Sequence, residues 1–204
     1  MTRVYLVRHG ETEWNANSKV QGTLDTELNE IGLQQAALVA KKLAGENISA
    51  VYSSSLKRAK ITAEKIAEAC NLEVNELHDF REICLGPWQG LTIQEINEKY
   101  ADHFKVYREH PSDFNMPGAE TFLQVTERFC NAMNQIVAAN PNKNIVIVSH
   151  GAAIKAAMIT TLGMELKHYN KFRIDNASLS ILDFSDKHNG GVIVHCMNNT
   201  CHLL

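Results

Sequence analysis

The chain has 204 residues, which is enough for one α/β domain with a substantial core and a modest insertion, and too few for a comfortable second domain. Its formal net charge of −3 argues against a nucleic acid or an anionic membrane as the main partner, because both need a concentrated basic surface. The five cysteines show no C-x-x-C spacing, lie largely in apolar patterns and are interpreted as reduced core thiols. The sequence enters a strand directly after Arg3 without an apolar leader, and no apolar run approaches the ~20 residues that cross a bilayer. We therefore expect a soluble, cytoplasmic protein.

The first third of the chain has the hydrophobic pattern of alternating strands and helices. Short β-rich apolar runs predict strands, and longer runs with apolar residues every three or four positions predict helices. The predicted elements are, in order, a strand at Val4–Val7, a helix capped by Asn29 and ended by Gly45, a strand at Ile48–Ser54, and a helix at Leu56–Cys70 capped by Ser55.

The middle of the chain is more loosely patterned. It contains a short predicted strand near Glu73–Leu77, the turn-prone Gly86-Pro87-Trp88-Gln89-Gly90, and a helix near Thr92–Tyr100 that is followed by loop. We interpret the residues at about 79–118 as a short cap inserted over the carboxyl ends of the strands.

The last third returns to regular periodicity. The predicted elements are a helix at Glu120–Ala139, a strand ending at Val148, a helix at Ala152–Leu162, and two strands at Ser178–Phe184 and Val192–Met197 joined as a hairpin across Asn189-Gly190-Gly191. Taken together, the pattern predicts a single three-layer α/β/α domain over residues 1–204 with a mostly parallel central sheet.

Two of the predicted strands end in the same way. The first strand is followed by Arg8-His9-Gly10, and a later one by Ser149-His150-Gly151. Ligands of open α/β sheets bind beyond the carboxyl ends of the strands. The two imidazoles would therefore converge on one ligand if these strands are neighbours.

Arg58 lies in the first turn of a predicted helix, where the helix dipole disfavours a cation unless an anion is close by. Arg8, Arg58, the two imidazoles and the free N–H groups of the helix starts would together form a pocket for a compact, doubly negative group. Phosphate fits this pocket best, because the forked guanidinium matches its oxygens in bidentate fashion. We expect a phosphoryl site.

Binding alone would need only arginines and backbone donors, so the histidines indicate a reaction. A neutral imidazole is a good nucleophile, and nearby arginines keep it neutral, which makes His9 the candidate nucleophile. A protonated His150, with Arg8 and Arg58, could stabilise the charge on the phosphoryl group as it transfers. Glu82 is the candidate acid for the leaving alkoxide, because a carboxyl beside phosphate oxygens holds its proton more readily.

The segment Leu6-Val7-Arg8-His9-Gly10-Glu11-Thr12-Glu13-Trp14-Asn15 resembles the signature of the histidine phosphatase superfamily, the phosphoglycerate mutase-like group. Seven further segments resemble that family in the same order: Gln21-Gly22, Leu28-Asn29-Glu30-Ile31-Gly32, Ser53-Ser54-Ser55-Leu56-Lys57-Arg58-Ala59, Arg81-Glu82, Gly86-Pro87-Trp88-Gln89-Gly90, Pro117-Gly118-Ala119-Glu120 and Val148-Ser149-His150-Gly151. The resemblance covers essentially the whole chain.

This resemblance implies a metal-independent phosphohistidine mechanism. In it, His9 is the nucleophile, Glu82 is the proton donor, and Arg8, Arg58 and His150 surround the phosphate. The resemblance also implies further residues of the same pocket, namely Asn15, the Gln21-Gly22 backbone and Gly151.

Other readings of the same residues are less favourable. Two arginines would repel a dication and no HExxH spacing is present, so we expect neither a metal nor a cofactor. A mutase must shield its phosphohistidine from water and calls for extra cationic groups and a larger cap. The short cap therefore favours the compact phosphatase branch of the family, although mutase and α-ribazole phosphatase activities stay open. An idle phosphate-binding protein ranks last, because His9, Glu82 and both arginines are present.

The expected partner is thus a small-molecule phosphomonoester, with no nucleic acid and no membrane. The sequence leaves open whether the protein forms a homodimer.

Overall fold

The computed structural model describes residues 1–185 and 191–204. Within these residues one sheet is built from β1 (Thr2–Arg8), β2 (Ile48–Ser54), β3 (Val74–Leu77), β4 (Asn144–Ser149), β5 (Leu179–Phe184) and β6 (Val192–Asn199). Their spatial order is β3-β2-β4-β1-β5-β6. The first four strands pair in parallel, whereas β5 and β6 are antiparallel. The predicted α/β class with a mostly parallel sheet is confirmed.

Helices cover both faces of this sheet. They are α1 (Glu13–Ala16), α2 (Glu30–Leu43), α3 (Lys57–Cys70), α4 (Ile93–Lys99), α5 (Ala101–Glu109), α6 (Phe122–Ala139) and α7 (Gly151–Thr161). Alternate residues of β1 point into different layers: Val4 and Leu6 pack with α6 and α7, whereas Tyr5 and Val7 pack with α2 and α3. The central strands are apolar throughout because both of their faces are buried.

Several boundaries differ from the sequence prediction. Helix α3 is capped by Leu56 rather than Ser55, and the Ser54 hydroxyl accepts the Leu56 N–H at 3.2 Å. Helix α6 begins two residues later than predicted, because Thr121 forms a capping box with Gln124.

The largest difference is α5, since the residues after Tyr100 were expected to form a loop. Phe104 and Tyr107 lie one turn apart on this short helix and pack against Trp88, with ring centroids 6.0 and 5.5 Å away. The helix is stabilised by this tertiary contact rather than by its polar local sequence.

At the other end of the chain, β5 and β6 pair as predicted, but Asn189 and Gly190 of the expected hairpin turn lie outside the described residues. The cap boundaries at 79–118 and the single-domain assignment stay predictions. None of the helices in the described ranges combines the length and apolarity that crossing a bilayer requires.

The loop after β1 passes unusually close to the start of α2. A Cβ atom at Gly10 would lie 2.4 Å from the carbonyl oxygen of Gly32, and one at Gly32 would lie 2.0 Å from the carbonyl oxygen of Glu11. Asn29 caps α2 as predicted, accepting the Gly32 N–H at 2.8 Å. Glycine at both positions lets the loop that begins with His9 lie directly on α2.

We therefore expect Gly32→Ala to destabilise the protein by about 1–3 kcal/mol, because backbone atoms must move apart to admit the methyl group. The free energy of unfolding in urea measures this effect. Gly45→Ala is the matched control, since a Cβ at Gly45 would meet no atom within 4 Å. Equal stability of the two variants would contradict the close approach.

Candidate active site

The two predicted histidines lie side by side. Because β1 pairs with β4 in a register that sets Arg8 opposite Ser149, the next residues of both strands, His9 and His150, leave the sheet at the same edge. Their ring centroids are 5.1 Å apart, and both side chains are buried. The condition set by the sequence, that the two strands be neighbours, is met.

The hydrogen bonding of His9 defines its tautomer. Its Nδ1 atom lies 2.7 Å from the carbonyl oxygen of Gly10, and a carbonyl can only accept, so Nδ1 carries the hydrogen. Burial, followed by the positive charges of Arg58 and Arg8, lowers the pKa of His9 well below its usual value. The ring is therefore neutral near pH 7, and Nε2 holds a lone pair.

His150 lies deeper. Its Nε2 is 2.8 Å from the Ser54 hydroxyl, and its Nδ1 is buried without a hydrogen-bond partner among the described residues. Burial is the main cause that lowers its pKa well below the usual value, with the charges of Arg58 and Arg8 adding to the effect. Protonation of His150 thus requires an incoming negative charge.

Both arginines are fixed by backbone carbonyls. Arg8 donates from Nη1 to Ile174 at 2.7 Å, and Arg58 donates from Nη2 to Gly22 and from Nη1 to Leu24, each at 2.7 Å. Burial lowers the pKa of both groups, that of Arg58 to about 10. Guanidinium groups nevertheless keep their positive charge at neutral pH. Each Nε atom is buried without a partner among the described residues. An oxyanion would supply the acceptors that such donors need.

Glu82 also lies beside these residues, and its carboxylate accepts three backbone hydrogen bonds. Its Oε2 accepts the N–H of Ala152 at 3.1 Å, and its Oε1 accepts the N–H groups of Ala153 at 2.9 Å and Ile83 at 3.0 Å. The carboxylate therefore lies at the N-terminus of α7, where the helix dipole favours an anion.

This arrangement differs from one expectation. The sequence reading left the N–H groups at the helix starts free for phosphate, yet at α7 two of them donate to Glu82, and at α3 the Lys57 N–H donates to Asp25 at 2.7 Å. The chain supplies its own carboxylates to both helix starts. Glu82 and Asp25 also explain why Arg58 is tolerated in the first turn of α3, because their charges favour the guanidinium.

A cavity of about 180 Å³ opens onto these groups. Its lining contains seven of the predicted residues, which are Arg8, His9, Asn15, Gln21, Gly22, Arg58 and Glu82. The other two stand behind that surface: His150 packs on His9, and Gly151 lies so close to Arg8 that a Cβ would be 3.3 Å from its Nε. The structure thus brings all nine together, while their individual roles stay predictions.

A larger cavity of about 840 Å³ lies at the opposite end of the sheet, near Thr2 and Pro141. None of the described residues that line it has a charged side chain. The described part of its lining therefore lacks the groups that phosphoryl chemistry needs, and the smaller cavity is the candidate active site.

The amide of Asn15 is oriented by its neighbours. Its Oδ1 accepts the N–H of Thr12 at 3.2 Å and the amide N–H of Asn176 at 3.2 Å. The amide nitrogen is therefore the group that Asn15 can offer to a ligand in the cavity. Asn176 also donates to the carbonyl oxygen of His9 at 3.1 Å, and no sequence motif pointed to it.

Gly22 links the cavity to the predicted cap. Its φ is +53°, and a Cβ there would lie 2.0 Å from Oε1 of Gln89. The same Gln89 oxygen accepts the N–H of Thr23 at 2.8 Å. The loop whose carbonyls hold Arg58 is thereby attached to the turn that contains Gln89.

Three further residues beside the cavity were missed by sequence reasoning. Tyr107 of α5 lines the cavity, and burial raises its pKa to about 12. Behind it, Tyr169 carries the Lys155 ammonium 3.7 Å from its ring centroid, and burial lowers the pKa of Lys155 to about 8. Tyr107 was missed because its segment was read as loop, and only its three-residue spacing from Phe104 could have indicated a helix.

Comparisons with known proteins point to one family. The family described as the histidine phosphatase superfamily (branch 1) matches residues 4–199. The chain is 37% identical over 203 residues to phosphoserine phosphatase 1 of Hydrogenobacter thermophilus, with 100% of this chain and 95% of that protein covered. A phosphoserine phosphatase from Entamoeba histolytica in complex with 3-phosphoglyceric acid has a TM-score of 0.89 at 38% identity, with both chains fully covered. Bacillus stearothermophilus YhfR has a TM-score of 0.94 at 29% identity, again over both full chains.

The chain belongs to the histidine phosphatase superfamily, and the resemblance seen in its motifs is confirmed. Its relatives include phosphoserine phosphatases, which supports the predicted phosphatase class of enzyme.

The lowered pKa values of His9 and His150 give a direct prediction. Between about pH 7.5 and about pH 5.5 an exposed imidazole gains a proton, whereas these two rings should stay neutral because burial and the two arginines oppose the charge. Histidine proton chemical shifts in NMR measure this, with exposed His103 and His110 as internal controls. A midpoint near 6.5 for His9 would contradict the assignment.

Proposed function

We propose that this protein hydrolyses small phosphomonoesters through a phosphohistidine on Nε2 of His9, with Glu82 as the proton donor and phosphoserine as a substrate. The observation that carries the proposal is the state of His9. Its Nδ1 hydrogen is engaged by the Gly10 carbonyl, its ring is neutral, and it lines the cavity with both arginines. A neutral imidazole held in this way is ready for attack on phosphorus.

In the first step the Nε2 lone pair of His9 forms a bond to phosphorus while the bond to the ester oxygen breaks. Glu82, in its protonated form, gives its proton to the departing alkoxide. Oε1 of Glu82 already accepts two N–H groups and Oε2 accepts one, so the second lone pair of Oε2 is the position for this proton. Arg8 and Arg58 stabilise the negative charge on the remaining oxygens.

In the second step water attacks phosphorus and passes a proton to the Glu82 carboxylate. The phosphorus–nitrogen bond breaks, its electron pair returns to Nε2, and inorganic phosphate leaves. Each group returns to its starting state, with His9 neutral and Glu82 protonated, so one water is consumed for each ester cleaved.

Phosphoserine is the first substrate to test, because the related proteins from Hydrogenobacter thermophilus and Entamoeba histolytica are phosphoserine phosphatases. The alkoxide of serine is a poor leaving group and needs a proton donor. The cavity of about 180 Å³ is small, which favours a compact ester of this kind.

The experiment combines turnover with trapping of the intermediate. We expect phosphate release from phosphoserine. With phosphoserine that is radioactive in its phosphoryl group, we expect the label to be retained on His9 after a base quench and to be lost in acid. His9→Ala should lose both label and turnover, and Glu82→Gln should hydrolyse phosphoserine about 10²–10⁴-fold more slowly. His103→Ala, at an exposed position, is the control.

Near-normal turnover by folded His9→Ala protein would contradict the covalent route. Interconversion of 2- and 3-phosphoglycerate at a rate above that of hydrolysis would instead favour the mutase alternative.

A further inference from the structure

The segment that carries Glu82 has an unusual backbone environment. Glu82 follows a 3₁₀ turn at His78–Phe80 and lies in a stretch without helix or strand. The carbonyl oxygens of four consecutive residues, Asp79 to Glu82, nevertheless all accept hydrogen bonds from side chains. Buried carbonyls outside regular structure need such partners.

Three of these four bonds come from one residue. The Arg128 guanidinium donates from Nη1 to the carbonyls of Asp79 at 2.6 Å and Arg81 at 2.8 Å, and from Nη2 to the carbonyl of Glu82 at 3.0 Å. The fourth carbonyl, that of Phe80, accepts from the Ser149 hydroxyl at 2.6 Å. The segment is therefore held from α6 and from the end of β4.

Glu120 completes the arrangement. Its carboxylate binds Arg128 with Oε1 to Nε at 2.9 Å and Oε2 to Nη2 at 3.0 Å, and Oε2 also accepts the Cys84 N–H at 2.8 Å. Burial opposes ionisation of Glu120, but the hydrogen bonds from Arg128 and Cys84 outweigh it and lower its pKa. The ion pair thus holds the backbone on both sides of Glu82.

We propose that the Arg128–Glu120 pair is a positioning device for Glu82, and that the fork of Arg128 acts on proton donation through the placement of this donor. The proposal rests on the proposed function of Glu82. Arg128 is outside the set of described residues that line the cavity, so it does not contact substrate. It fixes the Glu82 main chain while α7 binds the carboxylate, and together these contacts determine where Oε2 lies.

The planar fork is essential to this role. Lysine would keep the positive charge, but one ammonium cannot reach three carbonyls and two carboxylate oxygens in the geometry that the guanidinium provides. Displacement of a catalytic group by a fraction of an ångström is enough to slow the step that it serves. Arg128→Lys should therefore impair proton donation and leave phosphate binding intact.

The experiment compares two substrates by their leaving groups. The alkoxide of phosphoserine needs a proton, whereas 2,4-dinitrophenolate leaves without one. For Arg128→Lys we expect kcat/KM for phosphoserine to fall by about tenfold to a hundredfold, which is a part of the roughly 10²–10⁴-fold that general acid catalysis contributes. We expect kcat/KM for 2,4-dinitrophenyl phosphate to change less than about threefold. The comparison uses kcat/KM because this parameter covers only the steps up to departure of the alcohol, before the phosphohistidine is hydrolysed. The ratio of the two kcat/KM values therefore reports proton donation.

The matched control is Arg3→Lys. Arg3 also forms a forked pair with a carboxylate, donating to Asp183 at 2.7 and 2.8 Å, but it lies at the opposite end of β1 from the site. It should leave both substrates unaffected. Glu120→Gln, which keeps an oxygen for the Cys84 N–H, should show the same selective loss as Arg128→Lys and serves as a second variant if Arg128→Lys is unstable.

A double-variant cycle separates this proposal from the proposed function. If Arg128 acts through Glu82, the loss in Glu82→Gln/Arg128→Lys should equal that of Glu82→Gln alone. Equal loss on both substrates in Arg128→Lys, or additive losses in the double variant, would overturn the positioning role while leaving Glu82 as donor. If Glu82→Gln itself shows no preference between leaving groups, the donor assignment is wrong and the positioning role is wrong with it.

Discussion

The parallel pairing of β1 with β4 is the constraint on which the site depends. It places Arg8 opposite Ser149, so the residue that follows each strand comes from a different part of the chain but leaves the sheet at the same point. Both strands are buried on both faces, and a slip by one residue would move every side chain to the wrong layer. The core therefore fixes the separation of His9 and His150 more tightly than any loop could.

The site also depends on keeping the positive charge of Arg58 inside the protein. Arg58 has no exposed surface, and such a charge is costly to bury unless its hydrogen bonds are made. Carbonyls of Gly22 and Leu24 and the nearby charge of Asp25 meet part of this cost. The loop that provides them is in turn bound by Gln89, so the anion site and the turn of the predicted cap that contains Gln89 form one connected structure.

The sequence was informative where chemistry coincides with regular structure. Apolar runs that end in a histidine and a glycine predict both the strands and the site, because periodicity and residue type agree there. Local sequence patterns were not sufficient where tertiary contacts determine the structure. Helix α5 is stabilised by its contacts with Trp88, so the spacing of Phe104 and Tyr107 was the only local signal for the position of Tyr107. Asn176 and Arg128 act on backbone carbonyls of distant segments, and no spacing in the chain records such a partner. The N–H groups at the starts of α3 and α7 were expected to be free because the carboxylates that bind them, Asp25 and Glu82, lie far away in sequence.

The proposed reaction places opposite demands on two groups in one cavity. His9 must be neutral to attack, and Glu82 must be protonated to donate. Burial and the charges of Arg58 and Arg8 favour the first condition, because they lower the pKa of His9. The proton of Glu82 is useful only where Oε2 can reach the ester oxygen, which is why the position of Glu82 relative to the arginines, and hence the backbone that Arg128 holds, matters to the rate.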